Sequence, residues 1–258
     1  MINKTRIILH GCMGNMCTAV SRLAKSDTSL NCEIVAGIDI VGSGDGLAFP
    51  VCPDLSLCDI DADVVIDCSV VESVPAVLEF GIKRNIPLVI GTTGLPKETK
   101  EAILSASEKL AILQSPNMSL GVNLLIGMVR QAAKLLTGFD VEIIEKHHKL
   151  KVDAPSGTAM ILADTINQAL GGEMDYIYNR SGERKKRASN EIGIHALRGG
   201  TIVGDHSVVF AGLDELIEFK HQVFSKEVFA MGMLRAARFL HVNEKPPGFY
   251  TMQDLMEV

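Results

Sequence analysis

The segment from residue 145 to residue 159, EKHHKLKVDAPSGTA, concentrates side chains that exchange protons or bind anions. Two histidines and three lysines occupy its first seven positions. Histidine gains and loses a proton near neutral pH, and a lysine crowded by other cations becomes a better acid. His147 and Lys151 are therefore candidates for proton transfer, although a solvated face is the ordinary alternative. No metal site is expected at His147 and His148, because adjacent strand residues point to opposite faces and no cysteine or spaced histidine lies nearby.

The residues that follow predict the start of a helix that binds a carboxylate. Ser156 is a favourable N-cap residue, and Gly157 and Thr158 then offer backbone N–H groups in the first turn. Together with His147, His148 and Lys151 just upstream, these donors suit a small dicarboxylate. One carboxylate would bind at the helix start and the other at the cations.

A glycine-containing turn near the N-terminus predicts a site for a dinucleotide cofactor. In HGCMGNMC, Gly11 permits a tight turn between strand and helix, and Gly14 allows the backbone to approach a pyrophosphate. The whole segment is a candidate for cofactor contact, namely Gly11, Cys12, Met13, Gly14, Asn15 and Met16. An ordinary glycine turn is the alternative.

Asp39 supports the dinucleotide interpretation. It ends the second predicted strand, where a carboxylate accepts hydrogen bonds from the hydroxyls of the adenosine ribose. A 2′-phosphate there would meet like charge, and neither Ile40 nor Val41 supplies a cation. The predicted cofactor is NADH or NADPH, with NADH favoured.

Two further strand ends are candidate cofactor contacts, because open α/β sheets bind ligands beyond the carboxyl ends of their strands. Taken separately, each segment is more simply a turn. The candidate residues are Gly91, Thr92 and Thr93 in the first segment and Ser115, Pro116, Asn117 and Met118 in the second.

The order of apolar segments predicts an α/β fold with two domains. Residues 1–118 alternate strands (6–10, 33–38, 63–66, 87–90, 110–114) with helices (16–24, 73–84, 96–109), which is typical of a doubly wound parallel sheet.

Residues 119–227 predict a smaller α+β domain for substrate binding and oligomerisation, with an open mixed sheet. Its predicted elements are helices 121–136 and 157–170, a loop at 173–190, and strands 139–146, 191–198, 201–210 and 215–223. We expect Gly199 and Gly200 to join two of these strands as a hairpin. Residues 228–258, with most of a last helix at 226–241, are expected to return to the first domain.

Composition disfavours several classes of partner. The net charge of −6 disfavours nucleic acid and membrane surfaces, and no apolar run is long enough to span a bilayer. The N-terminal residues do not resemble a signal peptide, so we expect a cytoplasmic protein whose six cysteines are reduced.

The motif at 145–159 closely resembles the E-x-H-H-x-x-K-x-D-A-P-S-G-T-A segment of the 4-hydroxy-tetrahydrodipicolinate reductase family, also called dihydrodipicolinate reductases. The resemblance extends in order to Gly11–Met16, to residues 91–94, to Asn117 with residues 121–123, and to residues 198–200 with 204–206. It implies NAD(P)H-dependent reduction of a cyclic dicarboxylate, with loss of water, on the diaminopimelate route to lysine, in a homotetramer. By motif, His147 is the proton donor/acceptor, Lys151 the proton donor, and His148, Gly157 and Thr158 are substrate contacts.

Departures from the family pattern bear on the cofactor. Asn15 occupies a position that is commonly arginine or lysine, Cys17 one that is commonly glycine, and no arginine follows Asp39. Two alternatives to this function are another two-domain NAD-dependent dehydrogenase and a non-catalytic NAD(H)-binding sensor. A semialdehyde dehydrogenase would need a cysteine nucleophile in the second domain, but no cysteine follows Cys68.

Overall fold

The computed structural model describes residues 4–41, 44, 46–182 and 184–256. Residues 1–3 of the N-terminal segment and Glu183 of the basic segment 180–187 lie outside the described residues. The chain divides into two compact units. Unit 1 comprises Met1–Ser119 and Glu227–Val258, and unit 2 comprises Leu120–Lys226.

The described residues form twelve strands and six α-helices. The strands are β1 (Thr5–His10), β2 (Cys32–Ile38), β3 (Val51–Cys52), β4 (Val64–Asp67), β5 (Leu88–Ile90), β6 (Ala111–Gln114), β7 (Asp140–His147), β8 (Asp175–Ile177), β9 (Glu191–Arg198), β10 (Gly204–Ala211), β11 (Leu216–Val223) and β12 (Gly248–Tyr250). The helices are α1 (Asn15–Ser26), α2 (Val74–Arg84), α3 (Lys97–Ser107), α4 (Leu120–Leu135), α5 (Gly157–Ala169) and α6 (Glu227–Val242).

Unit 1 is a parallel sheet with helices on both faces. Its seven strands run in the order β12-β6-β5-β4-β1-β2-β3, and every pairing is parallel. The central strands are apolar on both faces; Ile7, Ile8 and Leu9 are fully buried. Side chains of α2 and α3 pack on one face, and α6, which also packs against α1, contacts β1, β4, β5 and β6. The prediction of a doubly wound α/β sheet is confirmed.

Two strands of this sheet were not predicted. β3 has two residues and β12 has three, which is too short for a recognisable apolar period. β12 pairs with β6, so the C-terminal segment adds an edge strand to unit 1.

Unit 2 contains an open mixed sheet of five strands, as predicted. Its order is β11-β10-β7-β9-β8, with parallel pairs on one side of β7 and antiparallel pairs on the other. Alternate residues of β7, such as Val141 and Ile143, join the core formed with α4 and α5. The intervening residues face away from these helices. The short strand β8 lies within the segment predicted as a loop.

The hairpin predicted at Gly199 and Gly200 is wrong. β9 and β10 do not pair, because β7 lies between them, parallel to β9 and antiparallel to β10. The Gly199 N–H donates to the carbonyl of His147, so the connection crosses the end of β7. Two glycines indicate a turn but do not determine which strands become neighbours, and residues 199–203 are long enough to cross two strand spacings.

None of the helices formed by the described residues has the length and apolar character that a bilayer crossing requires.

Candidate active site

The glycine turn of unit 1 has the backbone conformation that the sequence predicts. Gly11 adopts φ = +77°, and a Cβ on it would lie 3.0 Å from the carbonyl oxygen of Cys68. Both features favour glycine. Gly14 is the N-cap of α1, and its N–H donates to the carbonyl of Gly11 at 3.0 Å. This end of α1 has no side-chain cap, because glycine has no side chain to supply one.

The other residues of the turn differ in what they present. Met13 and Asn15 are exposed and Met16 is half-buried. Cys12 is buried, and its Sγ would lie 2.6 Å from a Cβ on Gly37. Burial, followed by the charge of Asp39, raises the pKa of Cys12 to about 11. The Cys12 side chain is therefore a neutral packing group, and only its backbone remains for a ligand.

Asp39 links the end of β2 to the glycine turn. Its carboxylate accepts the Met13 N–H at 2.9 Å and the Val41 N–H at 3.0 Å. It also lines a cavity of about 470 Å³ together with Gly11, Gly14 and Asp54. The described lining of this cavity contains two aspartates and neither lysine nor arginine.

A buried polar cluster lies where β1, β4 and β5 end. Of its residues, only Thr92 was predicted from the sequence as a site residue. Asp67 is fully buried and accepts hydrogen bonds from Thr92 Oγ1 at 2.6 Å and from the hydroxyl of Ser69. His10 Nδ1 lies 2.8 Å from the same carboxylate. His10 and Ser69 also line the cavity, whereas the Thr92 hydroxyl is engaged with Asp67. The position of these residues at the ends of predicted parallel strands is the sequence signal that could have identified them.

The remaining predicted cofactor contacts lie at neighbouring strand ends of unit 1 but do not line that cavity. A Cβ on Gly91 would lie 2.6 Å from Met233, and the hydroxyl of buried Ser115 donates to the Asn117 carbonyl at 2.8 Å. Met118 is buried against α6. Thr93 and Pro116 are exposed.

In unit 2, β7 ends in a buried pair of complementary side chains. His147 Nδ1 lies 2.7 Å from Glu145 Oε2, and Glu145 has no exposed surface. Arg198 binds both oxygens of this carboxylate, with Nη1 2.8 Å from Oε2 and Nη2 2.7 Å from Oε1. Burial pushes the pKa of Glu145 upward, but the hydrogen bonds from Arg198 and His147 outweigh it and hold that pKa below its usual value.

Lys151 pairs with a carboxylate that was not predicted from the sequence. Its Nζ lies 2.7 Å from Asp153 Oδ1, and the side chain is largely buried. The hydrogen bond from Lys151 lowers the pKa of the half-exposed Asp153 carboxyl. His148 immediately follows β7 and is half-buried.

The start of α5 has the predicted capped form. The Ser156 Oγ accepts the Ala159 N–H at 3.2 Å and lies 2.9 Å from Nε2 of His206. Gly157 is exposed as the first helical residue, and Thr158 is half-buried. The Ser156 N–H donates to Glu145 Oε1 at 3.0 Å. One carboxylate therefore contacts both the histidine and the helix start.

Three histidines line the inner face of this sheet, two of which the sequence did not single out as site residues. His206 of β10 lies opposite Glu145 of β7. On its other side, His206 lies opposite His221 of β11. The rings of His147 and His206 meet edge to face, with centroids 5.3 Å apart. Burial, followed by the charge of His147, lowers the pKa of His206 to about 4.

The basic segment 180–187 contributes to a separate network. Arg180 pairs with Glu142 and Glu191, and Arg187 pairs with Asp140 and Glu142. These arginines are held by carboxylates rather than fully solvated.

Comparison with known proteins identifies the family. A family model described as dihydrodipicolinate reductase, N-terminus, matches residues 5–118, and one described as dihydrodipicolinate reductase, C-terminus, matches residues 121–256. The chain belongs to the dihydrodipicolinate reductase family. A 4-hydroxy-tetrahydrodipicolinate reductase of Caldanaerobacter subterraneus subsp. tengcongensis is 50% identical over 252 residues, which cover 98% of each chain.

Two solved structures share the fold. The dipicolinate-bound dihydrodipicolinate reductase from Paenisporosarcina sp. TG-14 matches with a TM-score of 0.79 and 24% identity, covering 96% of this chain and 97% of that chain. A scyllo-inositol dehydrogenase from Lactobacillus casei, solved with NAD(H) and scyllo-inositol, matches with a TM-score of 0.64 and 13% identity, covering 99% and 94%. This dihydrodipicolinate reductase family member therefore has the Rossmann-like fold of NAD(P)-binding dehydrogenases. The predicted family, reductase function and enzyme class are confirmed.

Proposed function

We propose that the chain reduces 4-hydroxy-tetrahydrodipicolinate to tetrahydrodipicolinate on the diaminopimelate route to lysine. The observation that carries this reaction is the arrangement in unit 2. His147 and Lys151 lie in the same fifteen-residue segment as the start of α5, and Glu145 contacts both His147 and the helix start. The segment thus combines two proton carriers with an anion-binding helix end.

The reaction needs both functions. The substrate is a dianion whose hydroxyl leaves as water while a hydride and one proton are taken up. A reduced nicotinamide cofactor supplies the hydride. The N–H groups of Gly157 and Thr158 would bind one carboxylate, with His148 as a further contact. His147 would accept and return a proton, and Lys151 would donate one.

We propose NADH as the preferred cofactor. Asp39 and Asp54 both line the cavity beside the glycine turn, so a 2′-phosphate would meet two carboxylates and, among the described lining residues, neither lysine nor arginine. The Asp39 oxygens already accept two backbone N–H groups, but each retains a lone pair for a ribose hydroxyl. The candidate cofactor contacts of the backbone lie in three segments, Gly11–Met16, 91–93 and 115–118.

The proposed assembly is a homotetramer in the cytoplasm. The face of the unit 2 sheet opposite α4 and α5 carries apolar side chains, including the exposed Leu197 and Leu216, and such a face commonly marks an interface. Six free cysteines suit a reducing compartment. Sedimentation equilibrium would give about four times the 27.8 kDa chain mass if the assembly is right, and a monomer would contradict it.

The function is tested by mixing the purified chain with freshly prepared substrate and following the absorbance of NADH and, separately, NADPH. We expect turnover with kcat/KM higher for NADH. Lys151→Ala should lower kcat by roughly 100-fold or more, the range for loss of a general acid. Lys149→Ala is the matched control, because Lys149 is an exposed lysine two residues away. Full activity of Lys151→Ala would contradict the proton-donor role.

A further inference from the structure

Glu145 has every hydrogen-bonding direction of its carboxylate occupied. Oε2 faces His147 Nδ1 at 2.7 Å and Arg198 Nη1 at 2.8 Å. Oε1 accepts from Arg198 Nη2 at 2.7 Å and from the Ser156 N–H at 3.0 Å. The group is fully buried, and a buried carboxylate with this many donors is held ionised.

An ionised carboxylate determines which nitrogen of the His147 ring carries the proton. Glu145 only accepts hydrogen bonds, so Nδ1 must be the donor. In the neutral ring Nε2 then has the free lone pair. Nε2 lies on the side of Gly204, where an added Cβ would be 3.1 Å away. Proton exchange with a substrate is thereby confined to Nε2.

The same carboxylate also positions the first turn of α5. Ser156 precedes Gly157 and caps the helix through its own side chain. Because Glu145 Oε1 accepts the Ser156 N–H, movement of Glu145 would displace the start of α5 as well as the histidine. Arg198 prevents such movement by binding both carboxylate oxygens and the carbonyls of Leu197 and Asp153.

We propose that Glu145, clamped by Arg198, is a positioning residue that selects the Nδ1–H form of His147 and holds the substrate-binding start of α5 in register with it. This inference rests on the proposed function, since it assigns His147 the proton transfer and α5 the carboxylate. A neighbouring side chain that fixes the tautomer and orientation of a metal-bound histidine is typically worth 10–100-fold in activity, and we expect a similar magnitude for a histidine that transfers protons.

The test is Glu145→Gln, which preserves shape but leaves one acceptor oxygen where the carboxylate accepts four hydrogen bonds. We expect kcat/KM to fall roughly 10–100-fold. In the resting protein, either the 15N shifts of the His147 ring should lose the Nδ1–H pattern or the Ser156 amide should lose protection from hydrogen exchange. Activity within twofold of wild type would overturn the proposal. So would a loss of activity with both signals unchanged.

Glu142→Gln is the matched control. Glu142 lies on the same strand facing the opposite way, and it also binds two arginines and a histidine, His195 at 2.8 Å. It should lower stability while leaving the His147 signals and the activity unchanged; a similar loss of activity would overturn the proposal. If Glu145→Gln does not fold, Arg198→Lys, which removes the two-pronged clamp but keeps the charge, should yield mixed His147 tautomers and lower kcat/KM. Wild-type tautomer signals and kcat/KM in Arg198→Lys would overturn the proposal.

The two proposals fail in different ways. Absence of turnover by the wild-type chain with the substrate contradicts the proposed function. The 15N and amide-exchange measurements need neither substrate nor cofactor, so they test the role of Glu145 in the resting protein.

Discussion

His206 should make the stability of unit 2 depend on pH in a way that one substitution removes. Its ring is buried, and burial followed by the charge of His147 lowers its pKa from 6.5 to about 4. The unfolded chain, with the ordinary value, binds the proton first as the pH falls. The stabilisation is therefore complete above about pH 6.5 and is lost as the pH falls toward 4.

The expected size follows from these two pKa values. Proton uptake by the unfolded state alone costs roughly 2 kcal/mol of unfolding free energy between about pH 7.5 and about pH 5. His206→Gln should not show this loss, because glutamine does not titrate and can still hydrogen-bond the Ser156 hydroxyl. The difference in unfolding free energy between wild type and variant should thus shrink or change sign at the lower pH. Groups that titrate alike in both proteins cancel from this difference.

Hydrogen exchange of the β10 amides at both pH values measures this difference within unit 2. Ser207→Ala is the control, because Ser207 is the next residue of β10, is buried and does not titrate. It should change stability equally at both pH values. Parallel pH dependence in wild type and His206→Gln would refute the reasoning, as would direct titration of His206 near 6.5 in the folded protein.

The remaining predictions concern the two candidate sites. Gly204→Ala should lower kcat about tenfold, since its Cβ would lie 3.1 Å from His147 Nε2 and small displacements of a reacting group are costly. Gly199→Ala, which meets no atom within 4 Å, is its control, and equal kcat in the two variants would contradict the crowding argument. Asp39→Ser should raise the kcat/KM ratio of NADPH to NADH at least severalfold, because it removes one of two carboxylates from the cavity. An unchanged ratio would show that Asp39 does not set cofactor preference.

Local sequence patterns predicted most of the helices and strands, whereas the proton-transfer and anion-binding roles of the motif stay predictions. The alternation of apolar strands with helices depends on neighbouring residues, so the parallel sheet of unit 1 was foreseeable. Ser156 as a helix cap and Gly11 in a tight turn follow equally from local backbone preferences. Short edge strands such as β12 carried too few residues for a period to appear.

The tertiary structure decided what depends on residues distant in sequence. Which strands flank β7 is a matter of packing, and the Gly199-Gly200 pair did not reveal it. The pairing of Asp67 with His10, 57 residues apart in the chain, likewise arose only on folding.

The sequence by itself determined which side chains could carry protons and where an anion could bind, because residue type and local spacing are sufficient for that. Only the folded chain decided how these groups are held. Arg198 comes from another strand to lock Glu145, and His206 from a third is buried beside His147. Hydrogen-bond geometry and burial depend on contacts between residues that are distant in the chain, and such contacts hold Glu145 beside His147 and lower the pKa of His206.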